Sequence, residues 1–333
     1  MYLHVLNQPY RPREAWKLVP ALVRSCLRPP RMANWLRALA DRLFKRTVPN
    51  ARPLYIMVEP TNHCNLNCAM CARVLYQRDR PLQHMSLAQF QRIMDAVAKH
   101  AVVVLLWNYG EPLLCPDICA MVALAAKRRL FTVITSNGLL LDDRLARDLA
   151  DSGLHYLKVS TLVEKEADLA RYVAIADCLA KAKINTTNPF VDFTVIAADQ
   201  TPELLAHTDR LLRAHGADSV SFRRLDQHFD KRPGRWAMPR QPQHSTCRRV
   251  FTSMVINSNG EAFACCYDLK LSRPLGNLLR QHMDDVWRGG AFNRLRLEMG
   301  EQLPPMCRTC PSPRYNHDVY LTIEEIERHA AAG

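Results

Sequence analysis

Between residues 54 and 222, apolar positions fall into two alternating rhythms. Short apolar runs at 54–59, 102–107, 131–135, 155–160, 190–197 and 219–222 have the length and β-branched content of strands. The stretches between them, at 86–100, 117–129, 142–151, 165–183 and 202–215, space apolar residues three and four apart, as one face of a helix requires. Ser86 stands where an N-cap is expected. The run from Val102 to Trp107 contains no polar residue, which suits a parallel strand covered on both faces. Strands alternating with helices in this way predict an α/β fold with a parallel sheet; periodicity leaves open whether it is doubly wound or curled into a partial barrel.

The flanks read differently. Pro29 and Pro30 open a helix in which Met32, Trp35, Leu36, Leu39 and Leu43 recur at helical spacing, with Arg31, Arg37, Arg42 and Lys45 mostly on other faces and Pro49 beyond its end. After residue 222, Pro233, Pro239 and Pro242 punctuate a polar connecting stretch. Residues 250–256, the turn Ser258-Asn259-Gly260 and residues 261–265 predict a hairpin, followed by short helices at 283–287 and 291–299. The expected organisation is a basic helical appendage (1–50), an α/β body (51–225), a linker (226–244), a small domain (245–320) and a terminal helix (321–333).

Composition narrows the function. At 333 residues, with 48% hydrophobic and 23% charged residues, the chain is an ordinary globular protein of one large domain or one plus a smaller one. The formal charge is +13, and residues 1–50 hold ten basic side chains against only Glu14 and Asp41, so 8 of those charges lie there. Nucleic acid is therefore not expected as a partner. The basic, Trp-bearing helix either caps the main domain or rests on an anionic membrane surface through residues 30–46. No signal peptide and no apolar run of the roughly 20 residues needed to span a bilayer is present. The expectation is a cytoplasmic protein, peripheral at a membrane if that helix is an anchor, whose twelve cysteines are reduced and partly metal-binding.

The chemistry concentrates in Glu59-Pro-Thr-Asn-His-Cys64-Asn-Leu-Asn-Cys68-Ala-Met-Cys71, a loop leaving the first strand. Zinc would want four ligands, and His63 is too close to Cys64 for both to reach one ion easily. Three thiolates on a four-iron cluster make better sense, because one iron then stays open to a chelating substrate.

This loop resembles the C-x3-C-x-Φ-C signature of the radical S-adenosylmethionine (SAM) superfamily, with Met70 at the Φ position. The second strand ends in Tyr109-Gly110-Glu111-Pro112-Leu113, similar to the family's G-G-E-P motif with Tyr109 for the first glycine. The third ends in Thr135-Ser136-Asn137-Gly138, like the T-N-G element beside the ribose, and the fourth in Val159-Ser160-Thr161, where the family often has V-S-x-D-G. The resemblance covers about residues 53–222 and implies a partial (β/α)6 TIM-like barrel with a small C-terminal iron–sulfur domain. It further implies a SAM-binding [4Fe–4S] cluster on Cys64, Cys68 and Cys71, and SAM contacts from Met70, Gly110, Glu111, Pro112, Ser136, Asn137 and Ser160. In that family one electron splits SAM, and the 5′-deoxyadenosyl radical takes a hydrogen atom from the substrate.

The C-terminal order Asn257-Ser-Asn-Gly260, Cys265-Cys266, Leu275-Gly276-Asn277, Val286-Trp287 and Cys307-x2-Cys310 resembles a shortened SPASM-type extension. One auxiliary [4Fe–4S] cluster is then implied on Cys247, Cys265, Cys307 and Cys310, with a zinc ribbon as the alternative. Cys266 is either a spare ligand or a group acting on substrate, and Arg223 is a candidate holder of a substrate anion. The favoured substrate is a small molecule (a sugar, an antibiotic-like intermediate or a lipid precursor) undergoing oxidation or epimerisation. A peptide or protein maturase is the alternative, and a non-catalytic iron–sulfur or zinc protein a third class. A flavodoxin- or ferredoxin-type electron donor is the expected redox partner.

Overall fold

Val103 is 1% exposed, and Val104 and Leu106 not at all, so the apolar run read as a doubly covered strand is one. It belongs to a computed structural model that describes residues 3–5, 8–10, 12–183, 188–224, 235–236, 247, 249–301, 303–308 and 320–331. The strands are β1 (Leu3–Val5), β2 (Gln8–Tyr10), β3 (Tyr55–Val58), β4 (Val103–Leu106), β5 (Phe131–Ser136), β6 (Tyr156–Thr161), β7 (Phe190–Ala197), β8 (Ser219–Arg224), β9 (Ser253–Ile256), β10 (Glu261–Phe263), β11 (Gly276–Asn277) and β12 (Tyr320–Leu321). Packing divides the chain into two units: Met1–Pro20, Thr135–Pro242 and Pro311–Gly333 form one, Ala21–Ile134 and Gln243–Cys310 the other.

In the second unit β3 runs parallel to β4, and β4 to residues 131–134 of β5. On its other edge β3 takes β9 in parallel, and β10 and β11 follow antiparallel. The helix Leu87–Val97 starts at Ser86, where a capping box with Gln89 satisfies the first amides, and it buries Phe90, Ile93, Met94 and Val97. The hairpin forms as expected around Gly260, whose φ of +83° no bulkier residue adopts readily. Its first strand is shorter than the apolar run suggested, because Arg249–Thr252 is helical.

In the first unit β6, β7 and β8 are parallel neighbours, and β12 adds antiparallel to β8. Lys183 and Lys17 both pair with Asp218, and Arg213 joins Glu14 to Asp209. The helix Ile323–Ala331 begins in a reciprocal pair of bonds between Thr322 and Glu325.

The helix predicted from Pro29 is present as Pro29–Leu43, but its polar side faces the protein. Arg31, 1% exposed, donates to the carbonyls of Ser25, Ala98, Arg128 and Arg129. Ala98 and Arg128 close the helices Leu87–Val97 and Ile118–Lys127, so one guanidinium serves orphan carbonyls at two helix ends. Asn34 exchanges bonds with the Arg52 backbone, and Asp41 accepts from the Ala51 amide. Met32, Trp35, Leu36, Leu39 and Leu43 are exposed. A capping helix packed through that apolar stripe is thus replaced by one bound through its polar side. The preceding helix Pro12–Cys26 and the β1–β2 hairpin carried no recognised sequence signal. No described helix is long and apolar enough to cross a membrane.

Candidate functional site

The cysteine loop is held from several directions, all within the second unit. Glu59, fully buried at the end of β3, takes both ends of the Arg80 guanidinium, at 2.7 and 2.9 Å, and the Ser258 hydroxyl at 2.9 Å. Asn62 accepts from the Gln83 amide at 2.7 Å and donates to the Pro81 carbonyl at 2.8 Å. The His63 and His84 rings stack at 4.2 Å. Arg73 folds back to donate to the Leu66 carbonyl and the Asn67 side chain, at 2.7 and 3.0 Å. Cys68 and Cys71 are joined by a backbone turn of 3.0 Å, and Cys71 precedes the helix Ala72–Tyr76.

The end of β4 meets this loop directly. The Glu111 amide donates to the His63 carbonyl at 2.7 Å. A Cβ on Gly110 would lie 2.1 Å from the Thr61 carbonyl oxygen, so only glycine permits this approach. The Glu111 carboxylate, buried, accepts from the Leu113 amide and caps the short turn that Pro112 opens. Met70 is half-buried on the loop itself.

Cys64 and Cys68 have thiols pushed up by burial, with Cys71 adding to the effect. They remain neutral until a metal draws out the thiolates. Among the described residues no three His, Cys, Asp or Glu side chains converge on a single ion. A four-iron cluster takes each of three thiolates on a different iron and leaves the fourth iron open. The three-thiol loop fits such a cluster.

Cys247, Cys265, Cys266 and Cys307 lie in the same unit in reduced form; Cys310 falls outside the described residues. The Cys265 thiol is lowered to about 6, because Cys266 donates to it and Arg249 stands beside it. Arg249 also reaches the Cys266 sulfur at 3.5 Å. The Tyr109 hydroxyl donates into the backbone of this loop, at Cys266 and Asp268.

In the first unit, Ser136 and Asn137 accept from the Gly138 and Leu139 amides, both at 2.9 Å, making a tight turn at the end of β5. Ser160 is half-buried on β6. Register puts Lys158 beside Asp192, Ser160 beside Thr194, Thr194 beside Ser221, and Arg223 beside Ile196, all on one face of the sheet. Thr194 and Ser221 donate to one oxygen of the fully buried Asp192, at 2.7 and 3.1 Å. Its other oxygen has no hydrogen-bond partner among the described residues.

Sequence reasoning missed Asp192, Glu59, Arg80 and Arg249. A carboxylate inside an apolar strand was the available signal for Asp192, since such a group needs partners to be tolerated. Glu59 gave no sign of its ties to residues 21 and 199 positions away.

Comparison with known proteins adds the following. The radical SAM superfamily matches residues 58–212, and the SPASM iron–sulfur cluster-binding domain matches residues 247–311. The PqqA peptide cyclase of Gluconobacter oxydans (strain 621H) is 27% identical over 186 residues, which are 53% of this chain and 50% of that one. The chain thus spans about half the length of this curated relative. The structure of BtrN with AdoMet and 2-DOIA superposes with a TM-score of 0.57 at 19% identity, covering 81% of this chain and 99% of that one. Streptococcus suis SuiB bound to precursor peptide SuiA gives 0.59 at 15% identity, covering 87% and 80%. Both likenesses concern the fold, which is the α/β partial-barrel class expected from the sequence.

Proposed function

Because the chain belongs to the radical SAM superfamily and carries a SPASM-type iron–sulfur domain, we propose that it abstracts a hydrogen atom from a peptide or protein substrate. It is an enzyme, and its cofactors are those of its family: SAM, a [4Fe–4S] cluster and auxiliary iron–sulfur. The observation that carries the reaction is the three-thiol loop pressed against Gly110 and Glu111.

Cys64, Cys68 and Cys71 would hold the SAM-binding cluster, and Cys247, Cys265, Cys307 and Cys310 one auxiliary cluster. A cluster and SAM held there would supply the radical chemistry that removes a substrate hydrogen atom. The chain's residues position and shield. Gly110 lets the backbone close on the cysteine loop, and Glu111 fixes the turn that follows. Met70 and Pro112 are proposed to line the SAM site. Asp192 has one oxygen without a hydrogen-bond partner among the described residues, which is proposed to take a substrate N–H or O–H if the site opens, and Arg223 is the proposed holder of a substrate anion. Cys266 is the candidate spare ligand or hydrogen donor.

The peptide reading reverses the preference drawn from sequence. Its support is that the curated relative is a peptide cyclase and that SuiB is solved with a precursor peptide. A small-molecule oxidation or epimerisation is the second reading; the fold neighbour BtrN is solved with the small molecules AdoMet and 2-DOIA. A flavodoxin- or ferredoxin-type donor would supply the electron.

The test is anaerobic reconstitution and reduction with dithionite. Formation of 5′-deoxyadenosine and methionine supports the radical reading, and S-adenosylhomocysteine alone overturns it. Peptides encoded beside the gene, deuterated at candidate side chains, then decide the substrate: label carried into 5′-deoxyadenosine supports a peptide, and transfer only from a small molecule refutes it.

A further inference from the structure

We propose that the outward face of the helix Pro29–Leu43 docks on a bilayer containing anionic phospholipid. The helix is fixed by Arg31, Asn34 and Asp41, which spend its polar side on backbone groups of its own unit. The outward side carries large apolar residues between its arginines: Trp35 is 54% exposed, Leu36 57% and Leu43 70%, with Phe44, just past the helix end, 70%. A soluble surface helix normally has the opposite arrangement. A contiguous apolar strip of this kind marks an interaction surface.

Charge identifies the occupant. Arg24, Arg28, Arg37, Arg42, Lys45 and Arg46 are exposed around the strip. The one acidic side chain between residues 21 and 50, Asp41, is buried against the Ala51 amide. Exposed charge on this segment is therefore of a single sign. A second copy meeting the same face across a two-fold axis would bring like charges together, which disfavours a homodimer. Nucleic acid would satisfy the arginines but leave Trp35, Leu36 and Leu43 unmatched. A bilayer surface satisfies both, with apolar side chains entering the acyl boundary and basic ones among the phosphates. Beside the start of the helix, a depression of about 420 Å³ is lined by Arg28, Lys99 and Arg128 together with Asp95, which pairs with Arg128. It gives a headgroup phosphate further cationic neighbours.

The test is co-sedimentation of the full chain with vesicles of phosphatidylcholine alone and of phosphatidylcholine mixed with phosphatidylglycerol. Binding should favour the anionic vesicles and fade as salt rises. Changing Arg37→Ala together with Arg42→Ala should weaken it about 30-fold, at about 1 kcal/mol per basic residue near the surface. Leu39→Glu with Leu43→Glu should abolish it. Both pairs are exposed, so melting temperature and iron content should stay at wild-type values, which separates lost docking from lost folding. The proposal fails if the wild-type chain ignores anionic vesicles or if the variants bind them equally well. It also fails if the wild type is a dimer that Leu39→Glu with Leu43→Glu makes monomeric, since the face then serves a second copy.

Discussion

The Tyr109 hydroxyl lies 2.7 Å from the backbone carbonyl oxygen of Cys266, tying the end of β4 to the loop of the C-terminal cysteines. Burial, reinforced by the Cys266 and Cys265 thiols, pushes the phenol upward, so it stays a neutral donor. This is the position where the family motif has a glycine, and here the side chain is a strut. Tyr109→Phe should cost about 1 kcal/mol of stability, the usual worth of one hydrogen bond. It should loosen auxiliary iron more than it slows SAM cleavage, as read by melting temperature, iron analysis and 5′-deoxyadenosine yield.

Gly110→Ala tests the approach of β4 to the cysteine loop. The added methyl would sit 2.1 Å from the Thr61 carbonyl oxygen and 2.8 Å from that of His63, and backbone cannot yield as a side-chain tip can. Loss of the SAM-binding cluster with the auxiliary cluster retained should leave about four of about eight irons, and SAM cleavage should disappear. Full iron with normal cleavage would show that the loop tolerates displacement.

Asp192→Asn should separate substrate recognition from SAM chemistry. The substitution keeps an acceptor for Thr194 and Ser221 but removes the charge and one acceptor oxygen. Substrate-free SAM cleavage and iron content should be unchanged, while KM rises about tenfold or more with a smaller fall in kcat. A matching loss of substrate-free cleavage would make Asp192 a structural residue instead.

Asp218 carries a pH signature. Its burial alone would raise the carboxyl, but Lys183, Lys17 and the Val191 amide outweigh this and hold it below the ordinary carboxylate range. A carboxyl depressed in the folded state adds stability that is fully present above its unfolded pKa and lost as pH falls through the folded one. Asp218→Asn should therefore lower stability by about 2 kcal/mol at neutral pH. The gap to wild type should close in strongly acidic solution, as followed by urea denaturation at a series of pH values.

Much of this was legible in the chain. Strand and helix positions from β3 to β8 follow from the two periodicities, and Ser86 announces its capping box. The cysteine loop and the Gly110-Glu111 turn are local motifs, readable because their residues are neighbours in sequence. The orientation of Pro29–Leu43 was not readable. Periodicity finds an apolar stripe but not which side meets solvent, and here carbonyls 67 and 97 residues from Arg31 decide it. Glu59, Arg80 and Ser258 were hidden for the same reason: the fold assembles them, and no local pattern does.

The tie between Glu59 and Ser258 also bears on the order in which the protein is made. Ser258 leaves the ribosome 199 residues after Glu59, and β9, which completes one edge of β3, emerges only just before it. Until then the nascent chain carries its cysteine loop on a strand with an open edge, a surface prone to pairing with other chains. Cluster insertion at the proposed ligands Cys64, Cys68 and Cys71 during synthesis would meet an unbraced loop. Metallation is thus best timed after translation is nearly complete, and truncated chains ending before Ser258 should accumulate as metal-poor, chaperone-bound species.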